Sequence, residues 1–241
     1  MFIPATRPPA NATATGPTTA KRARLSLIDP ARVVPSGLTT EEFRLRPILT
    51  TDAERDHEAI METRADLRVW EQSSWPEDDF TVEADREDLA DLEQRHPDRR
   101  AFTYTVLDPN GTECLGCVYI FPTTASFLAK ADVTPVADAR SDEARWDEAQ
   151  WDDAQWDEVQ WDEVDAVVYF WVRASRIPSD LDARLLAAVR TWLNEEWDLA
   201  RTVFVTSERF VRQVELLEGA SLRLRFELRE PGKPAAYLVY G

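Results

Sequence analysis

Two cysteines, Cys114 and Cys117, form a C-x-x-C motif, the spacing at which two thiols can bind a metal ion or cycle through a disulfide. They lie in the run TECLGCVYIF, which predicts a β-strand, and residues three positions apart on a regular strand point to opposite faces. The sequence has no second cysteine pair, and His57 and His96 are distant. We therefore expect two buried, inert thiols and no metal site.

An acidic tandem repeat, WDEAQ-WDDAQ-WDEVQ-WDEVD, runs from Trp146 to Asp165. A step of five residues turns a helix by roughly 140° beyond a full circle, and an odd step alternates the faces of a strand, so the tryptophans share no face. We expect residues 132–165 to be an acidic, tryptophan-rich, low-complexity insert in a surface loop. A second interpretation is a binding segment for a basic partner or for the chain's own arginine-containing tail.

The charge and hydropathy of the chain exclude two kinds of partner. The chain has 241 residues and a formal net charge of −17, and nucleic acid binding needs a basic face, so we expect no nucleic acid partner. No apolar run approaches the roughly 18 residues that a membrane span requires, and the N-terminal segment lacks the apolar stretch of a secretory signal. These features predict a soluble, cytoplasmic protein without a membrane partner.

The first half of the chain predicts a tail, two helices and a hairpin. Residues 1–42 are rich in Pro, Thr and Ala without an apolar period, which predicts a disordered tail before one domain at 43–241. The domain begins with a strand over FRLRP, and helices are expected from Thr51 or Asp52 to Trp70 and from Thr81 to about Arg95. The turn sequence Asn-Gly at 110–111 predicts a hairpin.

The second half alternates strands and helices. The continuous apolar run AVVYFWVR predicts a central strand covered on both faces, and the next helix starts at Ser179, which forms a capping-box pattern with Asp182. Strand RTVFVT, a short helix at 208–217 and two closing strands follow. The order β-α-α-β-β-insert-β-α-β-α-β-β predicts an α/β fold in which helices cover both faces of a mixed sheet.

This order, together with the hydrophobic pattern of AVVYFWVR, SDLDARLLAAVRTWL, RTVFVT and ERFVRQVELLEGA, resembles the core of the GNAT superfamily of N-acetyltransferases. The likeness covers about residues 43–241 without the insert. It implies a mixed, mostly antiparallel central sheet. It also implies transfer of an acetyl group from acetyl-CoA, as co-substrate, to the primary amine of a small molecule or peptide.

The resemblance also implies where CoA would bind. In the family the end of the central strand pairs with the pantetheine arm, which here implies Trp171, Val172 and Arg173. The pyrophosphate rests on the N-terminus of the next helix, where two glycines let the backbone amides approach.

In this chain Asp180 and Asp182 stand at the two glycine positions, and Ile177 stands at the family's Arg/Gln position. A carboxylate at a helix N-terminus takes the amides and the dipole that a phosphate would use. The side chains left as candidate phosphate partners are Arg173, Arg176 and Arg184.

The family's second signature falls on residues 208–220, with Gly219 at its glycine. Glu215 stands where the family has the tyrosine that protonates the leaving thiolate, so it would act as the acid only if burial raised its pKa. Glu113 and Glu208 are the nearest carboxylates for a base, and Tyr169 is a candidate proton relay through water.

The resemblance implies that the acceptor side is built from the two helices after the first strand and the last β-hairpin. The residues that would line it are acids and aromatic rings suited to a cationic amine or peptide N-terminus: Trp70, Trp75, Asp78, Asp79 and Phe80. The same rings are equally suited to packing. Two alternatives to an enzyme stay open, a non-catalytic GNAT-like binding or regulatory module with a degenerate CoA site and a scaffold that uses the repeat. The oligomeric state is open as well, with a homodimer as one option.

Overall fold

The computed structural model describes residues 27–28, 31–136 and 164–241. Strands β1 (Leu38–Thr39) and β2 (Arg44–Pro47) precede helices α1 (Ala53–Glu71) and α2 (Val82–Arg95) and the hairpin strands β3 (Phe102–Leu107) and β4 (Cys114–Phe121). They are followed by β5 (Asp132–Pro135), β6 (Ala166–Val172), α3 (Leu181–Glu195), β7 (Thr202–Ser207), α4 (Val211–Gly219), β8 (Leu224–Arg229) and β9 (Tyr237–Tyr240). The repeat at 146–165 lies almost wholly outside the described residues.

The nine strands of the described segments form one sheet in the order β1-β2-β3-β4-β6-β7-β9-β8-β5. The pair β6–β7 is parallel, and the other neighbouring pairs are antiparallel. The predicted α/β fold with a mixed, mostly antiparallel sheet is confirmed. None of the helices in the described segments is long and apolar enough to cross a membrane.

Strand β6 is buried on both faces, as its continuous apolar sequence predicts. Its even-numbered residues from Ala166 to Val172 pack in a core with α3 and α4. Its odd-numbered residues pack in a second core with α1 and α2. The sheet is therefore covered by a helix pair on each face, and β6 lies at its centre.

Strands β6 and β7 part before either one ends. They pair over three positions, from Ala166 opposite Thr202 to Val168 opposite Phe204. Beyond Val168 the β7-facing edge of β6 therefore lacks a strand partner, which opens a gap in the sheet at the carboxyl ends of the two strands.

The domain boundaries differ from the prediction in two places. Leu38 and Thr39, expected in a disordered tail, pair with β2, and Leu27 and Ile28 are buried in the α3–α4 core. Residues 132–135, expected in the low-complexity insert, form β5 and pair with β8. Both strands are too short to leave an alternating pattern in the sequence, and backbone pairing holds them at the two edges of the sheet.

The prediction that Cys114 and Cys117 face opposite sides of the sheet is wrong. The β3–β4 register shifts at Leu115, so that Val106 pairs with Gly116 and the next residue pairs with Cys114. This bulge places both thiols in the α1–α2 core. Gly116 has φ +150°, and a Cβ there would lie 2.1 Å from the backbone oxygen of Trp171.

The predicted capping box at the start of α3 is wrong as well. Residues 174–179 form a 3₁₀ turn, and the Ser179 hydroxyl donates to the Arg176 carbonyl instead of capping the helix. Helix α3 follows Asp180, whose φ of 55° is left-handed. The left-handed residue turns the chain between the two helical segments, so the predicted hydroxyl cap does not form.

We predict that Gly116→Ala lowers the free energy of unfolding by about 1–3 kcal/mol, because the added methyl group would overlap the Trp171 carbonyl. Urea denaturation followed by circular dichroism measures the change. The control is Gly219→Ala at the end of α4, where nothing lies within 4 Å of the added Cβ. Equal stability of the two variants would show that the bulge does not depend on Gly116.

Candidate functional site

A narrow cleft lies where β6 and β7 part, and we call it the β6–β7 cleft. Its cavity volume is about 20 Å³, which is close to the space that one water molecule needs. Trp171 and Val172, two of the predicted pantetheine contacts, do line it. The lining residues come from α1, β6, the start of α3 and α4: Thr63, Asp66, Leu67, Trp70, Phe170, Trp171, Val172, Ile177, Asp182, Phe210, Arg212, Gln213 and Leu216.

A side chain from α4 occupies the free edge of β6 in this cleft. Gln213 is buried, and its Nε2 donates to the Phe170 carbonyl at 2.9 Å. This carbonyl is one of the groups that lose their strand partner when β7 departs. The side-chain amide therefore takes a hydrogen-bond position that an extended ligand would need.

The N-terminus of α3 is occupied by acidic side chains and one arginine. The Asp182 carboxylate accepts from the Ala183 amide at 2.9 Å, and the Arg212 guanidinium donates to Asp182 at 3.0 Å and to Asp180 at 3.1 Å. Asp182 is buried, whereas Asp180 is exposed. The helix end thus carries two carboxylates balanced by one guanidinium, which does not fit a pyrophosphate.

Each of the three candidate phosphate-binding arginines is held by an acid. Arg173 is 6% exposed and contacts Glu58 at 2.9 Å, Glu62 at 2.6 Å and Glu113 at 3.3 Å. Arg176 also pairs with Glu113.

Arg184 contacts Glu42 at 2.6 Å and donates to the Ser179 carbonyl at 2.6 Å. It too is paired within the chain. A phosphate bound by these three arginines would therefore compete with the carboxylates that they already contact.

The predicted catalytic carboxylates do not converge on the cleft. Glu113 bridges Arg173 and Arg176 at the end of β6. Glu208 accepts from the Ala236 amide at 3.0 Å and so fixes the segment before β9. Neither side chain lines the β6–β7 cleft.

The predicted general acid, Glu215, and the predicted proton relay, Tyr169, do not line the β6–β7 cleft either. Glu215 is exposed on α4, so the burial that would make it an acid is missing. Tyr169 is buried in the α1–α2 core, and burial raises the pKa of its phenol well above the ordinary value. Its hydroxyl is buried and has no hydrogen-bond partner in the described part of the chain.

The five predicted substrate residues lie in different environments. Phe80 packs against the rings of His57 and Trp75. Trp70 is buried against Tyr169 and lines the β6–β7 cleft. Asp78 and Asp79 are exposed, and Asp78 pairs with Arg68 at 2.8 Å. Trp75 lines a different cavity, described next.

A second cavity, which we call the acid pocket, lies between α1, α2 and β4 and has a volume of about 30 Å³. Asp56 and Asp85 are buried in it, and Asp88 is half-buried. Burial raises the pKa of Asp56 to about 6, of Asp85 to about 9 and of Asp88 to about 7. Its lining residues are Asp56, Ile60, Trp75, Asp85, Asp88, Leu89, Asp91, Leu92, Arg95 and Tyr119.

Both cysteines contact the acid pocket through Asp56. Cys114 Sγ lies 3.3 Å and Cys117 Sγ lies 3.7 Å from Asp56 Oδ1. The hydrogen bond with Cys114, burial and the Asp56 charge raise the pKa of Cys117 well above its ordinary value. Both thiols are therefore protonated donors to a carboxylate, in keeping with the predicted inert cysteines. Within the described segments, no three His, Cys, Asp or Glu side chains are grouped closely enough to hold a metal ion.

Sequence reasoning missed four residues that define these two sites: Arg212, Gln213, Asp56 and Asp85. Each lies on a helix in a polar position that the sequence pattern does not distinguish from an exposed one. Arg212 could have been considered from the sequence, because it lies beside Gln213 on the helix that the resemblance already aligned with the family's second signature. No such indication exists for Asp56 and Asp85, because their burial depends on how α1 packs against α2.

Comparison with known proteins identifies the fold. No protein-family model matches the chain, and a search of curated proteins finds no match. The ribosomal-protein-S5-alanine acetyltransferase from Vibrio fischeri superposes with a TM-score of 0.57 at 17% identity, over 85% of this chain and 94% of that chain. RimL, a ribosomal L7/L12 alpha-N-protein acetyltransferase solved with coenzyme A, gives 0.56 at 13% identity, over 87% and 96% of the two chains.

The microcin C7 self-immunity acetyltransferase MccE, solved with acetyl-CoA and AMP, gives a TM-score of 0.58 at 12% identity, over 86% of this chain and 96% of that chain. All three proteins are acetyltransferases, and each is covered almost completely. At these identities the likeness establishes the architecture alone. The chain has the fold of the GNAT acetyltransferases.

Proposed function

We propose that this chain is a GNAT-like binding or regulatory module that does not transfer acetyl groups. The observation that carries this proposal is the ion cluster at the start of α3, where Arg212 joins the carboxylates of Asp180 and Asp182. The resemblance puts the pyrophosphate of acetyl-CoA at this helix end. A polyanion would meet two negative charges there, and the adjacent guanidinium is already paired.

The other basic side chains around the cleft support the same conclusion. Arg173 is buried among three glutamates. Separating a buried guanidinium from its acidic partners strongly destabilises the folded protein. The backbone amides that follow β6 already donate hydrogen bonds to side chains of α1. The Ala174 amide donates to Thr63 and the Ser175 amide donates to Glu62, each at 3.0 Å. Contacts from α1 thus occupy the first two backbone amides after Arg173.

The lack of a positioned acid or base is a further support. Glu113 and Glu208 are engaged in structural contacts, and Glu215 is exposed. Orientation alone can contribute about 7–11 kcal/mol to a reaction, but only when both reactants are held in place. A cleft of about 20 Å³ does not hold a thioester arm.

An acetyltransferase that moves an acetyl group from acetyl-CoA to the primary amine of a small molecule or peptide is the second candidate. The parting of β6 and β7 favours it, because an unpaired strand edge is a site to which an extended ligand can add. The acetyltransferase names of the solved relatives favour it as well. It would require Gln213 to leave the Phe170 carbonyl and the arginines to exchange partners. A cytoplasmic location and a homodimer stay predictions.

Calorimetry with acetyl-CoA separates the two candidates. We predict no binding to the native chain below millimolar concentration and a gain in affinity of about tenfold or more in the double variant Asp180→Gly/Asp182→Ala. The substitutions remove both carboxylates and release Arg212, and glycine accepts the left-handed backbone at position 180.

The matched control is Asp198→Gly/Asp79→Ala, which makes the same change in charge at exposed sites. Asp198 has a φ of 58° and is therefore also left-handed. An equal gain in this control would attribute the effect to overall charge. Micromolar binding to the native chain that Arg176→Glu abolishes would overturn the module in favour of the enzyme.

The hydrogen bond from Gln213 to the Phe170 carbonyl leads to a separate prediction about stability. Gln213→Leu should lower the free energy of unfolding by about 1–3 kcal/mol, because the Phe170 carbonyl would be buried without a donor. Urea denaturation measures the change, with Gln94→Leu on the exposed face of α2 as control. Equal stability would mean that water replaces the Gln213 amide and that the cleft opens readily.

A further inference from the structure

An open groove lies on the outer surface between α3 and α4, and we call it the α3–α4 groove. Its volume is about 480 Å³, against about 20 Å³ for the β6–β7 cleft. Leu186 and Leu216 line the groove, and Leu186 is buried while Leu216 is half-buried. Val211, one helical turn before the groove residue Glu215 on α4, is 60% exposed. The described part of the chain therefore leaves an apolar surface uncovered between these two helices.

Helix α4 separates this groove from the β6–β7 cleft. Arg212 and Leu216 line both, and Gln213 on the same helix closes the cleft by donating to the Phe170 carbonyl. A segment bound in the α3–α4 groove would therefore contact, from the outer side, the helix that closes the cleft.

The end of the groove at Ala220 is basic. Arg190 lines the groove and donates to the Ala220 carbonyl at 3.0 Å, and Arg223 and Arg225 follow Ala220 in the chain. The backbone of Arg223 exchanges two hydrogen bonds with that of Gly241. Within the described residues no carboxylate forms an ion pair with any of these three arginines. This end of the groove therefore suits a ligand that carries acids beside apolar side chains.

Both ends of the acidic insert lie at the end of the sheet where β6 begins. The amide of Val136 donates to the Arg225 carbonyl at 3.0 Å, so the chain leaves β5 beside β8. Asp165, the last residue of the repeat, accepts from the Arg201 side chain at 2.7 Å just before β6. Gly241 lies between these two places, because it is close to both Arg225 and the start of β7. The insert therefore begins and ends near the basic end of the α3–α4 groove.

The insert is also long enough to reach the groove. Strands β5 and β6 are separated by three other strands, which places them about 19 Å apart. An extended chain spans about 3.3–3.6 Å per residue, so residues 137–163 can cover this distance several times over. The connection therefore does not have to take the shortest path across the sheet.

The composition of the insert matches the surface of the groove. Residues 137–163 carry eleven acids against two arginines, and four tryptophans lie among them. A tryptophan side chain buries about 150–250 Å² when it packs into an apolar site. The five-residue period gives the tryptophans no shared face, but a groove that receives a single ring does not need one. The acid that follows each tryptophan is then placed to pair with an arginine at the rim.

A second open groove of similar size fits an acidic segment less well. It has a volume of about 470 Å³ and lies between the end of β2 and the end of α2. Glu93 and His96 are the ionisable groups among its described lining residues, so it offers a carboxylate and no arginine. In the α3–α4 groove, Arg190 accompanies the carboxylate of Glu215, and two further arginines follow Ala220. An acidic segment is therefore attracted more strongly to the α3–α4 groove.

We propose that the acidic repeat, residues 146–163, binds in the α3–α4 groove of its own chain. A tryptophan ring packs between Leu186 and Leu216, and adjacent acids pair with Arg190 and with the arginines that follow Ala220. The bound repeat covers the outer side of α4 and so holds in place the helix whose inner side closes the β6–β7 cleft. The repeat is thereby an internal ligand of the domain, whether or not the chain transfers acetyl groups.

Site-specific photo-crosslinking of the full chain tests this arrangement. A diazirine amino acid replaces Ala187, which is exposed and lines the groove, and mass spectrometry maps the cross-linked peptides. We expect cross-links to residues 137–163 of the same chain. The matched control carries the same group at Ala65, an exposed alanine on α1, and should give few cross-links to the repeat.

The contribution of the aromatic rings is measured with two variants that retain every acid of the repeat. Replacing the four tryptophans by alanine should lower the yield of cross-links from position 187 by about fivefold or more, because the apolar contact is lost. Replacing them by phenylalanine should preserve the yield. The substituted residues are Trp146, Trp151, Trp156 and Trp161.

The contribution of charge is measured with a second pair of variants. Arg190→Glu should lower the yield of cross-links to the repeat by about fivefold, because a carboxylate then faces the acids of the repeat. The control Arg64→Glu makes the same change at an exposed arginine on α1 and should leave the yield as it is.

Hydrogen exchange of the full chain tests the effect on α4 without a photoreactive group. The amides of α4 should exchange about fivefold faster in the four-alanine variant than in the native chain, because the repeat no longer covers this helix. The four-phenylalanine variant should exchange like the native chain. Helix α1 is the internal reference, and its exchange should be the same in all three proteins.

Several results would overturn the proposal. Equal cross-linking to the repeat from positions 187 and 65, or equal yields within either pair of variants, would mean that the repeat does not recognise the groove. Cross-links from position 187 that join two chains would assign the groove to a second copy. Equal exchange of α4 in the native chain and the four-alanine variant would mean that the repeat does not cover this helix. None of these measurements involves acetyl-CoA, so their outcome is independent of the proposed function.

Discussion

The backbone of a buried strand must have its polar groups paired, and at the end of β6 this requirement is met by the chain itself. After Val168 the strand loses β7 as a neighbour on one edge. The Phe170 carbonyl is then met by Gln213, and the amides of Ala174 and Ser175 are met by α1. Each unpaired group would cost about 1–3 kcal/mol if buried, so these contacts close the gap that the sheet topology opens.

The charged side chains at this end of the sheet are also paired within the chain. Acids on α1 and in the β3–β4 loop gather around Arg173, and acids at the start of α3 gather around Arg212. Each of these two guanidinium groups is balanced locally, which disfavours a phosphate at either of them. The molecule therefore disfavours an anion in the β6–β7 cleft.

The element order was predictable because it rests on hydrophobic periodicity, which is local. The apolar run at 166–173 became the central strand, and the stripe through Leu185, Leu186 and Val189 became the buried face of α3. The errors occurred where one residue departs from the regular pattern. The bulge at Leu115 turned both cysteines to one face, and the left-handed Asp180 replaced the expected hydroxyl cap. A period-based argument assumes a regular backbone and misses such single-residue changes.

The sequence by itself determined the α/β architecture and the central position of β6, because these follow from residue types and their spacing. The resemblance to the GNAT superfamily added that Asp180 and Asp182 stand at its two glycine positions. Only the tertiary structure decided what those acids contact and which polar helix residues are buried. Gln213 and Asp85 look like ordinary exposed positions in the sequence, yet one closes the cleft and the other is left without a hydrogen-bond partner for its Oδ2 within the described residues. The sequence pattern does not reveal these roles, because burial and ion pairing depend on how the helices pack against one another and against the sheet.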